Sequence, residues 1–247
     1  MFRYCIALVV ALAAGALTLP AAAQTYGDTL LASVAAKHRG IASIRIDATG
    51  KGARRITVTR GKESGVSATA PLSNAVGEPI GSFTITSKRK VAAGPIAAEL
   101  ARRIYVADNL IEPDPFVVGA SRSPRAQALV DAMIDRFPDL VTLAMHVALP
   151  GKENTIIASN FGRIGKLADG DDADVIARGT IRKEVTNGGR RLAVELPMLD
   201  AGGRAIGALS TSFTMATPAD EARAYARAIA VRDALAARIP LLAALAK

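Results

Sequence analysis

The sequence contains a single cysteine, Cys5, and no tryptophan. Because no cysteine follows Cys5, the chain beyond it can form neither a disulfide nor a thiolate-based metal or catalytic site. Aromatic residues make up only 4% of the chain while 50% of it is hydrophobic, so the core is predicted to consist mainly of Ala, Val, Ile and Leu. The length suffices for one large domain or two of ordinary size.

Motifs of common enzyme classes are also absent. The sequence has neither His-Glu-x-x-His nor Gly-x-Ser-x-Gly, and the Ser-x-x-Lys match at residues 87–90 lacks its companion motifs. Its two histidines, His38 and His146, are too few for a typical metalloenzyme site. The aspartates between 169 and 174 lack the spacing of an EF-hand loop. We therefore expect a protein that is not an enzyme and that uses neither a metal nor another cofactor.

The chain begins as exported proteins do. Arg3 precedes an apolar run at residues 5–19, which Pro20 and the three alanines at 21–23 follow. A basic start, a short apolar middle and small residues before the cut are the parts of a secretory signal peptide. The run is about 15 residues, shorter than the roughly 20 that span a bilayer. We expect residues 1–23 to be removed after Ala23, and the abundance of Ala and Arg favours a bacterial periplasm.

Positive charge is concentrated in the first half of the predicted mature chain. Residues 24–112 carry 13 Lys or Arg against 7 acidic residues, whereas residues 113–247 carry 17 against 15. Basic domains are typical of proteins that meet nucleic acid, anionic membrane surfaces or acidic partners. Export, together with the scarcity of aromatic residues for base stacking, argues against nucleic acid. Apart from Lys88-Arg89-Lys90 the basic residues are dispersed, which favours a solvated surface.

An internal repeat organises the chain. Residues 71–83 and 197–209 share Pro, Ala, Gly, Ile and Gly at identical spacing, and each segment predicts a strand, a tight turn and a returning strand. Residues 38–47 and 137–146 form a second matched pair, which predicts a helix end followed by a strand.

The second copy is the fuller one. Its pattern predicts a helix at 122–136, two strands, a short helix capped by Asp171 or Asp172, three strands and a long closing helix from about Pro218 to Arg238. The five strands are predicted at 140–148, 154–160, 180–184, 190–196 and 205–213. Because antiparallel neighbours dominate this order, the predicted fold class is α+β.

The first copy has the same beginning and end but a shorter middle. Its second strand, 55–60, is followed by Pro71 after ten residues, whereas the corresponding stretch of the second copy, 161–196, is more than three times longer. We therefore expect the first copy to lack a helix and at least one strand. The predicted domains are 24–110 and 123–247, joined by a linker at 111–122.

Three features of the second copy occur together. They are entry by a helix and then a strand, the loop Asn-Phe-Gly-Arg-Ile-Gly-Lys at 160–166, and the ending Leu-Asp-Ala-Gly-Gly-Arg-Ala-Ile-Gly-Ala-Leu at 199–209. In these features the chain resembles the extracytoplasmic PAS-like domains of bacterial sensors, the Cache or PDC group, over residues 120–240 and more weakly over 27–105. The resemblance implies two tandem PAS-like domains, the second with a five-stranded antiparallel sheet. It also implies a small-molecule pocket between that sheet and its covering helix and loops.

The predicted function is therefore small-molecule binding or sensing in the periplasm, with the ligand pocket in the second domain. Sensors of this group are normally anchored in the membrane and continue into a cytoplasmic output domain. Because no such domain follows in this sequence, we expect a separate membrane or signalling partner. The alternative is a ligand-free scaffold that docks on a membrane complex through its basic first domain.

Four residues are predicted to contact the ligand: His146, Asn160, Arg163 and Lys166. His146 interrupts an apolar strand, and its imidazole can donate and accept at neutral pH. The other three follow the second strand, and the guanidinium of Arg163 suits a carboxylate, which predicts a small anionic ligand. The alternatives are a hydrogen-bonded strand histidine and a surface loop whose basic residues offset nearby carboxylates.

The closing helix offers a second surface for contacts. Ala, Ile and Leu lie on one side of residues 219–238, and charged residues surround the other side. Packing on its own domain is one interpretation of this pattern. The other is a homodimer that forms through this helix.

Overall fold

The computed structural model describes residues 24–62, 64–120 and 122–246. The predicted signal peptide, residues 1–23, therefore lies outside the described residues. The described part folds as an α+β protein with two antiparallel sheets, which confirms the predicted fold class. Within it, no helix is long and apolar enough to cross a membrane.

Two units follow one another along the chain, each with its own sheet. The first unit comprises α1 (Tyr26–Lys37), β1 (Ile41–Thr49), β2 (Arg55–Gly61), β3 (Val66–Ser73), β4 (Pro79–Ser87) and α2 (Ala93–Ala101). The second comprises α3 (Pro124–Arg136), β5 (Leu140–Ala148), β6 (Asn154–Ser159), α4 (Gly170–Arg178), β7 (Arg182–Thr186), β8 (Arg191–Leu199), β9 (Ala205–Thr214) and α5 (Glu221–Ala236).

The two sheets share an order of strands. The first sheet has the order β2-β1-β4-β3, and the second has the order β6-β5-β9-β8-β7. When β1, β2, β3 and β4 are matched with β5, β6, β8 and β9, the orders are the same and β7 is an added edge strand. The second unit also inserts α4 between β6 and β7, whereas residues 62–65 alone connect β2 to β3.

The units differ in how their sheets are covered. In the second unit α3 and α5 pack on one face and build the larger core, while α4 lies on the opposite face against β8 and β9. In the first unit α1 and α2 cover one face. The other face of that sheet carries exposed side chains, among them Arg45, Thr57 and Thr69. Within the described part of the chain, the second sheet alone is therefore covered on both faces.

The same side-chain turn closes the last hairpin of each unit. Asn74 Oδ1 accepts hydrogen bonds from the backbone N–H groups two and four residues later, at 3.2 and 2.9 Å. Asp200 Oδ1 does the same at 2.9 and 3.0 Å. The N–H of the residue that follows, Ala75 or Ala201, donates at 2.8 Å to the carbonyl of Ile104 or Ile239, which lies beyond the last helix of the unit. The two hairpins thus end in the same local geometry.

A glycine allows the central strands of each sheet to come close together. A Cβ on Gly81 would lie 1.9 Å from the carbonyl oxygen of Asp47, and one on Gly207 would lie 2.3 Å from that of His146. Only glycine fits such an approach. Asp47 and His146 therefore occupy equivalent positions on the first strands of their sheets.

Most element boundaries agree with the predicted ones, and β5 agrees at both ends. The cap of α4 is a correction: Asp169, and not Asp171 or Asp172, accepts the N–H groups of the first turn, at 3.2 Å each. The closing helix begins at Glu221 instead of Pro218, because residues 218–220 form a 3-10 turn.

We expect Gly207→Ala to lower the free energy of unfolding by about 2–3 kcal/mol, because the added methyl forces β5 and β9 apart. Urea unfolding followed by circular dichroism would measure it. The matched control is Gly94→Ala in α2, where a Cβ meets nothing within 4 Å. That substitution should be neutral or slightly stabilising. Wild-type stability in Gly207→Ala would contradict the close approach of the two strands.

Candidate functional site

A group of polar side chains lies between α4 and the second sheet. His146 from β5, Ser210 from β9 and Glu195 from β8 project from one face, and Asp172 reaches them from the first turn of α4. His146 and Asp172 are buried, with 5% and 2% of their surfaces exposed, and the other two are half-buried. We call these four residues the α4 cluster. Buried polar groups of this kind require partners, so their contacts are informative.

Asp172 binds two members of the cluster at once. Its Oδ2 lies 3.0 Å from His146 Nδ1, and its Oδ1 accepts a hydrogen bond from Ser210 Oγ at 3.1 Å. Ser210 Oγ also lies 3.2 Å from His146 Nε2. Ser210 donates its single hydroxyl proton to Asp172, and an imidazole nitrogen that faces a carboxylate or a hydroxyl oxygen is favourable there as a donor.

The contact between His146 and Asp172 is close but imperfect. His146 Nδ1 and Asp172 Oδ2 are within ion-pair distance, but the angle at the N–H is outside the range of a hydrogen bond. Nδ1 has no other acceptor among the described residues. Burial raises the pKa of Asp172, but its contacts with His146, with the N–H of Asp169 and with the hydroxyl of Ser210 together outweigh burial and lower the pKa. Asp172 is therefore a carboxylate.

Glu195 is the unsatisfied member of the cluster. Its Oε2 is buried and has no hydrogen-bond partner in the described part of the chain. Burial raises its pKa, and the negative charge of Asp172 raises it further. Glu195 stands directly opposite Ser210 in the ladder between β8 and β9, so its carboxyl lies beside the other three groups.

A cavity of about 180 Å³ opens next to Glu195. Side chains of β7 and β8 and the first turn of α4 line it: Asp171, Arg182, Lys183, Glu184, Ala193 and Glu195. Asp171 and Arg182 form an ion pair of 2.8 Å across its mouth, with both side chains about half exposed. The first turn of α4 is thus held to the sheet by two aspartates, one buried and one at the surface.

Ser210, His146 and Asp172 are the residue types of a catalytic triad, but their geometry differs from one. In a triad the serine donates to the imidazole, and the carboxylate contacts only the far nitrogen. Here the carboxylate bridges the serine and the imidazole. Ser210 also lies in β9, which pairs with strands on both sides, so its backbone forms no loop of free N–H groups for an oxyanion. The arrangement suits binding better than acyl transfer.

The four predicted contact residues do not lie together. His146 lies in the α4 cluster, whereas Asn160 lies at the junction between the units. Asn160 Oδ1 accepts the N–H of Leu143 at 2.8 Å, and its Nδ2 donates to the carbonyls of Val141 and Arg102, each at 2.9 Å. These bonds fasten β5 to the first unit and occupy both ends of the amide. Ligand contact by Asn160 stays a prediction.

Arg163 binds a carboxylate of the protein itself. Its Nε and Nη2 donate to the two oxygens of Glu112, in the linker, at 3.0 and 2.8 Å. This bonding raises the pKa of Arg163. The Lys166 side chain is half-buried and makes no hydrogen bond or ion pair with the described residues. Its role as a ligand contact, like that of Arg163, stays a prediction.

A larger groove, about 280 Å³, lies elsewhere on the second unit. The linker at 117–120 and the β5–β6 hairpin line it, mostly with apolar side chains and glycine, and Lys152 and Glu153 are at its exposed rim. It contains no cluster of buried polar groups comparable to that under α4. Because specific ligand sites combine a cavity with convergent polar groups, the smaller cavity is the better candidate.

Sequence reasoning missed three residues of this site. Asp172 was assigned to helix capping, and Glu195 and Ser210 were not singled out. The available signal was the alternation of Ser210, Ser212 and Thr214 in β9 and of Arg191 and Glu195 with apolar residues in β8, which alone predicts a solvated face. In the regions that the structure describes, no group of three or more His, Cys, Asp or Glu side chains is arranged to hold a metal ion.

No protein-family model matches the chain, and no curated protein matches it. The function has to be argued from the α4 cluster and its cavity.

Asn160→Asp is expected to lower the free energy of unfolding by about 2–4 kcal/mol, because a carboxylate oxygen would face two carbonyls in place of a donor. Chemical denaturation would measure it. Asn187→Asp, in an exposed turn, is the control and should change stability by less than about 0.5 kcal/mol. Unaltered stability of Asn160→Asp would contradict a role at the junction.

Glu195→Gln is expected to stabilise the protein at pH 7 by about 0.5–2 kcal/mol. The folded protein holds the Glu195 proton to a higher pH than the unfolded chain does, because the pKa is raised on folding. Stability therefore falls as the pH rises from about 4.3 through that raised pKa.

The gain from Glu195→Gln should accordingly shrink as the pH falls toward 4. Unfolding measured at several pH values would test this expectation. Glu184→Gln, an exposed neighbour, is the matched control. A pH-independent loss of stability in Glu195→Gln would show that the carboxylate is structurally required.

Proposed function

We propose that the second unit binds a small molecule between α4 and its sheet. The observation that carries the proposal is the α4 cluster itself, in which a half-buried carboxylate, Glu195, is left without a hydrogen-bond partner at the wall of a cavity. An uncompensated acid is unfavourable for folding, and such strain is a property of binding and catalytic sites. A ligand that donates to Glu195 would satisfy it.

The arrangement of the second unit supports this proposal. A five-stranded antiparallel sheet with a covering helix and a polar cavity between them is what the resemblance to PAS-like sensor domains implies. The matching strand orders of the two sheets support a tandem pair of such domains, in which the first is truncated. We extend the proposal accordingly to a periplasmic binding or sensing protein that reports to a separate partner.

The size and charge of the cavity bear on the ligand. Its volume of about 180 Å³ is below the roughly 300–1,000 Å³ of typical ligand pockets, which favours a small ligand. Arg182 in its wall supplies a cationic group for an anionic part of the molecule once its ion pair with Asp171 is exchanged. Glu195 would bind a donor group on the same ligand. This division of roles favours a small anion that also carries a hydroxyl or amine.

A thermal-shift screen of the purified protein would test the proposal, with small carboxylates, amino acids, purines and divalent metals. A true ligand should raise the melting temperature with concentration, by about 2.7 kcal/mol of stability at a hundredfold excess over its Kd. Ala193→Leu should abolish this shift, since leucine would fill the cavity.

The first unit offers a matched control. Ser67 occupies in β3 the position that Ala193 occupies in β8, and it lies on the exposed face of its sheet. Ser67→Leu should therefore leave the ligand-induced shift unchanged. A shift that persists in Ala193→Leu would place the ligand elsewhere, and a flat screen of a protein free of co-purified ligand would refute the proposal.

One observation favours the alternative, a scaffold that docks through the first unit. In the second unit α4 covers one face of the sheet. The equivalent face of the first sheet is exposed, and Arg45 and Arg55 lie on it. A basic, uncovered sheet face is suited to an anionic surface of a partner complex. The flat screen described above, together with loss of partner capture in Arg55→Glu, would support this alternative.

A further inference from the structure

We propose that His146 and Ser210 form a carboxylate subsite, that Asp172 fills this subsite when no ligand is bound, and that a small carboxylate binds by displacing Asp172. This inference rests on the proposed function, because it specifies the chemistry and regulation of the same site. It makes the first turn of α4 a built-in competitor of the ligand.

The way Asp172 is bound shows what the subsite accepts. One carboxylate oxygen lies 3.0 Å from His146 Nδ1, and the other accepts from Ser210 Oγ at 3.1 Å. Two donors at this spacing, an imidazole N–H and a hydroxyl, match the two oxygens of a carboxylate. The side chains of His146 and Asp172 are 6% and 3% exposed, so the subsite is shielded from water.

The contact geometry of Asp172 is poorer than a free carboxylate could achieve in the same subsite. His146 Nδ1 is buried, points toward the carboxylate and still makes no hydrogen bond of proper angle. Asp172 is constrained by its place in α4, where its side chain also accepts the N–H of Asp169 at 3.3 Å. A free carboxylate has no such constraint and could align with the N–H of His146. A buried donor that gains an in-line acceptor is stabilised.

A second ion pair of α4 would add a further cation to the subsite. Asp171, on the same helical turn as Asp172, lies 2.8 Å from Arg182 of β7. Moving that turn releases Arg182 together with His146 and Ser210. It also joins the space that Asp172 vacates to the cavity beside Glu195. A ligand larger than the present cavity could then be accommodated.

Charge makes Asp172 and an anionic ligand mutually exclusive. With Asp172 in place, its carboxylate occupies His146 and Ser210, Asp171 neutralises Arg182, and Glu195 remains as an acidic neighbour. The surroundings then repel an anion. With the first turn of α4 moved away, neither Asp171 nor Asp172 opposes the ligand, and Arg182, Ser210 and the N–H of His146 are left to bind it. Ligand binding and release of α4 are therefore coupled.

Acetate is the probe for this inference, with chloride at equal ionic strength as the reference. In the full chain, Asp172→Ala should bind acetate with a Kd about tenfold or more below that of the wild type, because the internal competitor is gone. Isothermal titration and the melting temperature would both report it. Adding His146→Ala to this variant should abolish the gain.

Asp174→Ala is the matched control, since Asp174 lies on the same helix but faces Arg178 at the surface. It should bind acetate as the wild type does. An Asp172→Ala protein with native circular dichroism and unchanged acetate affinity would overturn the inference. If another compound still binds the wild type and Ala193→Leu abolishes that binding, the proposed function survives this failure. Acetate binding by Asp172→Ala with a flat wild-type screen would support the carboxylate subsite, overturn its opening by displacement of Asp172, and refute the function.

Should Asp172→Ala not fold, the wild type itself provides the test. Acetate that shifts the imidazole signals of His146 should also accelerate amide hydrogen exchange in α4, at residues 173–178. Unchanged exchange in α4 at acetate concentrations that saturate the His146 shift would overturn displacement.

Discussion

The contact of Asp172 with His146 and Ser210 is the constraint on which the second unit depends. A buried carboxylate without partners is highly unfavourable, and removing one partner of a buried ion pair generally costs about 3–5 kcal/mol. Asp172 lies in the first turn of α4, so fixing its carboxylate fixes the helix. The helix in turn covers one face of the sheet and encloses the cavity beside Glu195. The polar contact of Asp172, together with the buried Val175 of α4, therefore closes this side of the unit.

The first unit shows what the same sheet does without that contact. Asp47 occupies the position of His146, but none of the helices that the structure describes lies above it. Its carboxylate bonds instead to Arg45, at 2.7 and 2.9 Å, and to Thr57, at 2.8 Å, on a face open to water. Hydration satisfies the polar groups there, as is common for antiparallel sheets. The candidate site thus arises where the second unit adds α4 and β7 to a frame that both units share.

Local patterns were sufficient for the fold class and most elements, but not for the site. Leu192, Val194 and Leu196 alternate with Ala193 and Glu195, which correctly predicts one face of β8 in the core. Whether the other face meets water or a helix depends on α4, which is distant in sequence. Asp172 and Ser210 are 38 residues apart, and Arg163 and Glu112 are 51 apart. No short-range signal connects such pairs, so the ion pair of Arg163 with Glu112 could not be predicted from the sequence.

The junction between the units determines which parts of the site can move. Tyr26 Oη lies between the carbonyl oxygens of Arg103 and Asn160, at 2.9 and 3.0 Å, and burial raises its pKa, so the phenol remains a donor. Asn160 in turn binds the backbone of β5, the strand that carries His146. His146 is therefore built on a strand that is fastened to the first unit. Asp172, by contrast, lies on a helix of nine residues held at its first turn by two ion pairs. Displacing α4, which carries Asp172, breaks fewer bonds than displacing β5, which carries His146. Any opening of the site is therefore expected to move α4 while the sheet stays fixed.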